Sequence, residues 1–228
     1  FTYTITSGNL VGTDTIEDSG RRLTRDAGEN AGQYNINLGS LGNPNYEITY
    51  VGAKFTIHPK NINDADVTVS GVGPFVYKAA AYTPEPTVRH TTRGTGGTTL
   101  TKGTEITFSY DTGTNVNVGS SQITIQGVSN YTGTRTLSFS IVQASVKLTP
   151  NNIVLTYGDR LDNARITGTA VNASFESVNV AGSWSFVGSI NNDPLCSDSG
   201  TYTVKYTIAD THNYIQPENK TITVTINK

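Results

Sequence analysis

Few residues of this chain have the type and spacing of a catalytic set. Such a set needs a nucleophile, a base within hydrogen-bond reach and a group that orients the base. The candidate bases are His58, His90 and His212, and all three lie in polar stretches typical of exposed loops. The single thiol, Cys196, has acidic neighbours in the sequence, which disfavour its reactive thiolate form. We therefore assign no catalytic residue and predict that the protein is not an enzyme.

The oxygen-rich stretch at residues 61–66 is the best candidate for a metal site. Calcium accepts about six to eight oxygen ligands, and this stretch supplies asparagine and aspartate side chains. It lacks the glycine turn and the bidentate glutamate of a calcium loop. Asp64 and Asp66 share one face of the strand predicted to run into Val67, which favours two solvated carboxylates over a calcium site. No metal ligand and no cofactor are predicted.

Two other kinds of site are also poorly supported. The glycine-rich stretch at residues 93–98 lacks the Lys-Ser/Thr ending of a phosphate-binding loop, and is interpreted as a hairpin tip. The acidic residues are too scattered for the paired carboxylates of a glycoside hydrolase. Lys78 and Lys147 are also considered as lysines that could form an isopeptide bond with an asparagine, but one sequence does not identify a partner for either.

The aromatic residues raise the alternative of sugar binding through stacked rings. Trp184 shares its parity with Val178, Val180 and Phe186, and such an apolar face is typical of a protein core. Tyrosines that follow an asparagine recur along the chain. Recurrence favours a structural role, such as a corner tyrosine whose hydroxyl bonds the backbone.

The composition indicates an all-β protein. The 228 residues include 36 Thr, 12 Tyr, 23 Gly and 21 Asn, and only 15% are charged. Thr and Tyr favour strands, whereas Gly and Asn favour turns. A net charge of −2 argues against nucleic acid as a partner. No apolar run is long enough to insert into a membrane, and a single cysteine permits no internal disulfide.

Internal repetition is the strongest signal in the sequence. An Asn-Tyr pair recurs after 85 and then 83 residues, at Asn45-Tyr46, Asn130-Tyr131 and Asn213-Tyr214. Each pair stands between a glycine-led strand pattern and a strand of alternating apolar and polar residues. Each repeat is therefore predicted to contain a hairpin with the Asn-Tyr pair near its turn.

The repeats predict three modules, at residues 1–59, 60–144 and 145–228. The predicted fold is a set of tandem immunoglobulin-like β-sandwiches arranged end to end as a rod. The joints carry no Gly/Ser-rich or Pro-rich spacer, so hinge freedom should be limited. In the third module, predicted strands cover residues 146–148, 153–157, 166–170, 178–187, 200–208 and 221–226, with a turn at Gly158-Asp159.

The first module is shorter than the others, although its first six residues alternate like a strand. Tyr157 precedes Tyr214 by 57 residues, and the same distance counted back from Tyr46 passes the first residue. We expect this module to lack its N-terminal strand or strands. Its sheet would then expose an edge that could pair with another chain.

The chain resembles the MBG-type repeats of bacterial surface proteins through residues 1–14 and 23–34. Those repeats usually begin with a Tyr-Gly-Asp segment, which the first module lacks and the third has at Tyr157-Gly158-Asp159. Residues 100–110 and 127–134 of the second module, and 180–186 and 199–202 of the third, are similar to related immunoglobulin-like repeats.

This resemblance implies a tandem array within a longer, multidomain protein that is secreted or anchored to the bacterial cell wall. Such arrays serve as adhesive modules or as stalks that hold a distal domain away from the cell. The resemblance carries no catalytic residue and no cofactor. The implied partners are host or mucin glycans, or an extracellular protein. The alternative function is a carbohydrate-binding module attached to a larger surface protein.

Overall fold

The structure, a computed structural model, describes residues 1–16 and 22–228. Regular structure in these residues consists of β-strands and two short 3-10 turns, Asn163–Arg165 and Cys196–Asp198, which confirms the all-β prediction. Within the described residues, no helix has the length and apolar character needed to cross a membrane.

Contacts between residues divide the chain into two compact units. Each unit includes residues from both sides of one predicted module boundary, and the boundaries themselves stay predictions. Unit 1 comprises Phe1–Thr68, Val88–Thr107 and Ile125–Arg135, and unit 2 comprises Val69–Thr87, Phe108–Thr124 and Thr136–Lys228.

The first sheet has three strands in the order β1-β2-β3, namely β1 (Thr24–Arg25), β2 (Gly32–Asn37) and β3 (Lys54–Ile57). Tyr34 on β2 lies opposite Phe55 on β3 in antiparallel register. The Arg25 guanidinium lies 5.2 and 5.3 Å from the centroids of these two rings, so a cation covers the aromatic face of this small sheet.

Residues 1–16 form no strand, although alternation in the first six residues suggested one. Side chains of both parities are exposed there, with Phe1 at 62% and Ile5 at 46% on one parity and Thr2 and Thr4 on the other. Alternation produces a stable strand only where one face is buried against a partner. The alternation at the start of the chain therefore does not correspond to a strand.

The middle of the chain forms nine strands. They are β4 (Lys60–Asn61), β5 (Val67–Ser70), β6 (Phe75–Val76), β7 (Thr87–His90), β8 (Thr98–Thr99), β9 (Ile106–Tyr110), β10 (Gly119–Gly127), β11 (Tyr131–Thr132) and β12 (Thr134–Val142). They build a sheet of order β5-β7-β8, a sheet of order β6-β12-β10-β9 and a two-stranded parallel pair of β4 and β11.

The last six strands are β13 (Val146–Pro150), β14 (Ile153–Thr156), β15 (Gly168–Asn172), β16 (Gly182–Phe186), β17 (Gly200–Ile208) and β18 (Lys220–Asn227). β13 pairs with β15, and the other four form a sheet of order β14-β18-β17-β16. β14 runs parallel to β18, whereas β16, β17 and β18 are antiparallel neighbours.

The hairpin prediction is confirmed around all three Asn-Tyr pairs. The pair falls between two strands that are neighbours in one sheet: β2 and β3, β10 and β12, or β17 and β18. In the second repeat, Asn130 directly precedes the short strand β11 and Tyr131 begins it.

The predicted strand at residues 178–187 is only partly correct, because it changes partner midway. Val180 N–H donates to the Ala170 carbonyl oxygen, which joins this part to β15. From Gly182 onward the chain instead pairs with β17. A Cβ atom at Gly182 would lie 2.4 Å from the Thr207 carbonyl oxygen and 2.6 Å from the Tyr206 ring. Only glycine allows this close approach at the change of partner.

Unit 2 contains two apolar clusters. One draws on both sides of residue 144, with Tyr77, Ile123, Phe139 and Ile141 before it and Leu148, Ala170, Val180, Tyr206, Ile208 and Tyr214 after it. The other is built from the third repeat alone, around Leu155, Leu161, Val204 and Val224. The core of the third repeat therefore continues into the residues that precede it.

Candidate functional site

The three histidines have different surroundings. His58 and His212 are exposed, as predicted for loop residues. His90 is half-buried on β7, so the loop prediction was wrong for this residue. Its Nδ1 lies 3.1 Å from the Tyr131 hydroxyl, and its Nε2 lies 3.3 Å from a carboxylate oxygen of Asp66.

Asp64 and Asp66 share the ammonium group of Lys60. Its Nζ lies 2.8 Å from Asp64 and 2.7 Å from Asp66. Both carboxylates lie in the turn between β4 and β5, rather than on one face of a strand. The Lys60 ammonium group therefore supplies, beside these two carboxylates, the positive charge that a calcium ion would have supplied. Within the described residues, no group of three or more His, Cys, Asp and Glu side chains could hold a metal ion.

Hydrogen-bond donors around Asp66 favour the charged form of its carboxylate. Hydrogen bonds from Lys60 and from the Thr92 hydroxyl, at 2.8 Å, lower the pKa of Asp66 from 3.8 to about 2. The same contacts, first to Asp64 and then to Asp66, raise the pKa of Lys60. The ion pair is therefore fully formed across the whole neutral range.

Arg93, Glu105 and Tyr131 extend this network. The Arg93 guanidinium donates to the Tyr131 hydroxyl at 3.0 Å and forms an ion pair with Glu105. Partial burial opposes ionisation of Glu105, but hydrogen bonds from Arg93 and the Thr101 N–H outweigh burial and lower its pKa. The acids of this network are paired with bases of the same network, which is the pattern of a structural cluster.

Other residues weighed on sequence grounds also have structural contacts. Cys196 is half-buried against the second apolar cluster, and its Sγ lies 3.8 Å from the Asn227 carbonyl oxygen. Residues 93–98 connect β7 to β8, which confirms the predicted hairpin tip. The Lys78 ammonium lies 4.0 Å from the Tyr82 ring centroid, and that of Lys147 lies 2.6 Å from Glu176.

Trp184 occupies the predicted inward position. It is half-buried and packs against both apolar clusters of unit 2, with its ring centroid 4.8 Å from that of Tyr206. Val180 and Phe186, of the same parity, are buried. Tyr157, by contrast, is 62% exposed and leads the Tyr-Gly-Asp turn.

Each residue of the Tyr157-Gly158-Asp159 turn has a structural role. Gly158 has φ +95°, a backbone conformation that favours glycine. The Asp159 carboxylate accepts a hydrogen bond from Thr156 N–H at 2.9 Å, and Asp159 N–H donates to the Thr156 carbonyl at the same distance. The Tyr157 N–H donates to the Asn227 carbonyl at 2.8 Å, which continues the ladder between β14 and β18.

The tyrosines of the Asn-Tyr pairs are structural, but their hydroxyl partners differ. The Tyr46 hydroxyl accepts from Val11 N–H and donates to Asp14, both at 2.8 Å, so it bonds the backbone as predicted. The Tyr131 hydroxyl instead joins the charged network. Tyr214 is 5% exposed and makes an edge contact with Tyr77, with ring centroids 5.2 Å apart.

The asparagine that precedes Tyr131 spans the first predicted module boundary. Its Oδ1 accepts from Ala31 N–H at 2.6 Å, and its Nδ2 donates to Asn30 Oδ1 at 2.8 Å. Its carbonyl oxygen accepts from Lys60 N–H at 2.8 Å. Asn130 thus connects three separate segments of unit 1.

Asn213 makes the same set of contacts at the second boundary. Its Oδ1 accepts from Val118 N–H at 2.8 Å, its Nδ2 donates to Asn117 Oδ1 at 3.1 Å, and its carbonyl accepts from Ala144 N–H at 3.0 Å. An additional bond to Asp210, at 2.9 Å, orients the amide. The asparagine role was missed in the sequence, because its partners lie about a hundred residues earlier.

A fully buried amide adds a further connection at the second boundary. Asn172 is 0% exposed, and its Nδ2 donates to the Tyr77 carbonyl oxygen at 2.8 Å. Its Oδ1 accepts from the backbone N–H groups of Ser174 and Phe175. All of these partners are protein groups, so the polar atoms are satisfied within the core.

A cavity in unit 2 lies next to this boundary. Its volume is about 260 Å³, and Ser145, Val146, Ile215, Gln216, Pro217, Glu218 and Lys220 line it. It contains one acid and one base, and neither histidine nor cysteine. This composition does not match a nucleophile with its base.

Residues 1–56 match the family model of the MBG domain, YGX type, which confirms the resemblance in the first module. This is a repeat-type, non-catalytic domain family. The rest of the chain is unassigned, so the similarity of the second and third modules to related repeats stays a prediction. A comparison with curated proteins finds no match.

Acid should weaken unit 1 through Asp66. Its pKa is lower in the folded protein, so its contribution to stability is present above the ordinary value of 3.8 and is lost as the pH falls toward about 2. In Asp66→Asn, the free energy of unfolding, measured with urea at a series of pH values, should fall less steeply over this interval. Thr92→Val should give an intermediate slope. Equal slopes in all three proteins would contradict this account.

Removing the Asn213 amide should destabilise unit 2. Asn213→Ala leaves the Val118 N–H without its partner, and an orphaned, partly buried donor costs about 1–3 kcal/mol. The exposed Asn219 offers a matched control, since Asn219→Ala should change stability by less than about 0.5 kcal/mol. Urea unfolding of the two variants provides the comparison, and similar losses in both would count against a special role for Asn213.

Proposed function

We propose that this chain is a non-enzymatic repeat region of a bacterial secreted or wall-anchored surface protein, and that it acts as a stalk or spacer. The observation that carries this proposal is the pair of matching asparagine contacts across the two predicted boundaries. A spacer must transmit position along its length, and hydrogen-bonded joints, the second of them backed by a shared core, limit bending.

The order of strands also suits a chain under tension. In the third repeat, β14 near the start and β18 at the end run parallel, with Ile153 opposite Val224 and Thr156 opposite Asn227. Pulling the two ends apart drives these strands in opposite directions along their shared ladder. All of its hydrogen bonds are then loaded together, instead of opening one by one.

The second repeat has the same device. β6 pairs in parallel with the end of β12, with Phe75 opposite Ile141 and Val76 opposite Val142. In both repeats, a strand from the early part of the module is held in parallel against the last strand, which supports a mechanical role for each module. Forced unfolding is governed by the unfolding rate. The strength of these two parallel ladders should therefore determine the force at which each repeat unfolds.

Glycan binding is the second candidate, and one observation favours it. Tyr157 presents a ring that is 62% exposed. It stands beside Asp159, whose carboxylate lies 3.8 Å from the Arg165 guanidinium. An exposed ring next to polar hydrogen-bonding groups could stack on a sugar, which would make the third repeat adhesive.

A proline at residue 157 should weaken the module under force. Tyr157→Pro deletes the N–H that bonds the Asn227 carbonyl, and its restriction on the preceding residue is compatible with a strand. Constant-velocity stretching of the full chain should then show one unfolding event at lower force than in the unmodified protein. Tyr157→Ala keeps the N–H and should leave all unfolding forces unchanged. Identical traces for the proline and alanine variants would refute the clamp.

The glycan alternative is tested with the same alanine variant. If Tyr157 stacks on a sugar, the unmodified chain should bind defined structures on a glycan array, and Tyr157→Ala should lose that binding. The exposed Val154 on the adjacent strand gives a control, Val154→Ala, which should bind as well as the unmodified chain. Under the spacer proposal, none of the three proteins binds the array.

A further inference from the structure

The two parallel ladders of unit 2 differ in length. β6 and β12 pair through two residues, whereas β14 and β18 pair through four. One further backbone bond extends each ladder, from Tyr77 N–H to the Val142 carbonyl at 2.9 Å and from Tyr157 N–H to the Asn227 carbonyl at 2.8 Å. Because tension along parallel strands loads all the bonds between them at once, the shorter ladder should separate at the lower force.

The two ladders are also backed by different apolar clusters. Phe75 and Val76 on β6 pack against the cluster that draws on both sides of residue 144, here called the spanning cluster, and Ile141 on β12 is buried in it. The other ladder is backed by the cluster built from the third repeat alone, to which β14 and β18 contribute Ile153, Leu155, Ile222, Val224 and Ile226. Each ladder therefore has its own core.

The part of unit 2 before the boundary (residues 69–87, 108–124 and 136–144, here called the leading part) can open without disrupting the second ladder. If β6 separates from β12, the third repeat loses one side of the spanning cluster, including the Tyr77 ring that meets Tyr214. The Asn172 amide also loses the Tyr77 carbonyl. The ladder of β14 and β18 and all the buried residues behind it remain, so the third repeat keeps a core of its own.

The reverse order preserves much less. β17 lies between β18 and β16 in the sheet, so it loses a neighbour when β14 and β18 are pulled away. This strand contributes Tyr206 and Ile208 to the spanning cluster, where Phe139 and Ile141 of the leading part are also buried. Opening the third repeat first would therefore remove the core of the leading part as well. An intermediate with one core intact exists only if the leading part opens first.

We propose that unit 2 lengthens under tension in two ordered steps, the leading part at a lower force and the third repeat at a higher force. The proposal rests on the spacer function and adds to it a graded response to load. Moderate tension lengthens the chain while the third repeat stays folded, and only stronger tension opens the four-residue ladder. The two steps follow from the two ladder lengths and from the separate core of the third repeat.

Two engineered disulfides assign each step to its ladder. Val76→Cys with Val142→Cys joins register partners of the first ladder, and Val154→Cys with Thr225→Cys joins register partners of the second. Neighbouring strands lie about 4.7–4.9 Å apart, a spacing that a disulfide can bridge. Both variants also carry Cys196→Ser, so that no third thiol remains.

Constant-velocity stretching of the full chain is the measurement, first with each disulfide oxidised and then after its reduction. The first disulfide should remove one step and about 230 Å of extension, and the second should remove another step and about 250 Å, at about 3.5 Å for each locked residue. The step removed by the first disulfide should be the one that occurs earlier and at lower force. Reduction should restore both steps.

Tyr77→Ala provides a check that needs no cross-link. It removes a ring from the spanning cluster, so the first step should occur at lower force. The force of the second step should not change, because the third repeat has already lost this ring when it opens. Tyr157→Ala, which removes an exposed ring instead, should leave both forces unchanged.

Several results would overturn the ordered extension and leave the spacer function standing. They are a reversed order of the two steps, a single step that either disulfide abolishes, disulfides that remove no step, and a Tyr77→Ala variant in which both forces fall or neither does. A chain that extends without measurable resistance would contradict the spacer function as well.

Discussion

The structure depends on backbone donors that one repeat leaves unpaired and the next repeat satisfies. Ala31 and Val118 each present an N–H group just before a strand begins, and each is bonded by an asparagine about a hundred residues later in the chain. A buried donor without a partner costs more than a hydrogen bond contributes, so the position of the second repeat relative to the first is restricted. The tyrosine after each asparagine then fixes the turn from the other side, by packing or by hydrogen bonding.

Burial reinforces this restriction at the second boundary. The Asn172 amide is enclosed by the protein and holds the Tyr77 carbonyl, and the Tyr77 ring meets the edge of Tyr214. A polar group at the centre of an apolar cluster accepts few alternative arrangements, since any shift leaves it unsatisfied. The first boundary relies more on charge, because Lys60 forms an ion pair with Asp66 there and Arg93 donates to the Tyr131 hydroxyl. The two joints therefore share the asparagine contacts and differ in what surrounds them.

Local features of the fold could be predicted from the sequence, because they depend on neighbouring residues. The strand at Gly200–Ile208, the hairpins around the Asn-Tyr pairs and the glycine-rich tip after β7 all follow from alternation and turn chemistry. The change of partner at Gly182 could not be predicted, because it depends on the approach of Tyr206 and Thr207 from another strand. The contacts of His90 and of the joint asparagines were missed for the same reason. Their partners are distant in sequence. The sequence around an exposed asparagine does not differ from the sequence around one that bonds across a boundary.

The continuous apolar cluster around Tyr77 has a consequence for how such repeats can be exchanged. The asparagine contacts are nearly identical at both joints, so a shuffled repeat would still meet a backbone N–H and an asparagine side chain that match its own asparagine. Among the described residues, the packing of Tyr77 against Tyr214 is specific to the second joint, and a repeat placed there without these rings would leave a void. Recombination at the repeat boundary would therefore preserve hydrogen bonding but lose cooperativity. In this chain, the repeat that the sequence defines is smaller than the part of the chain that folds around one apolar cluster.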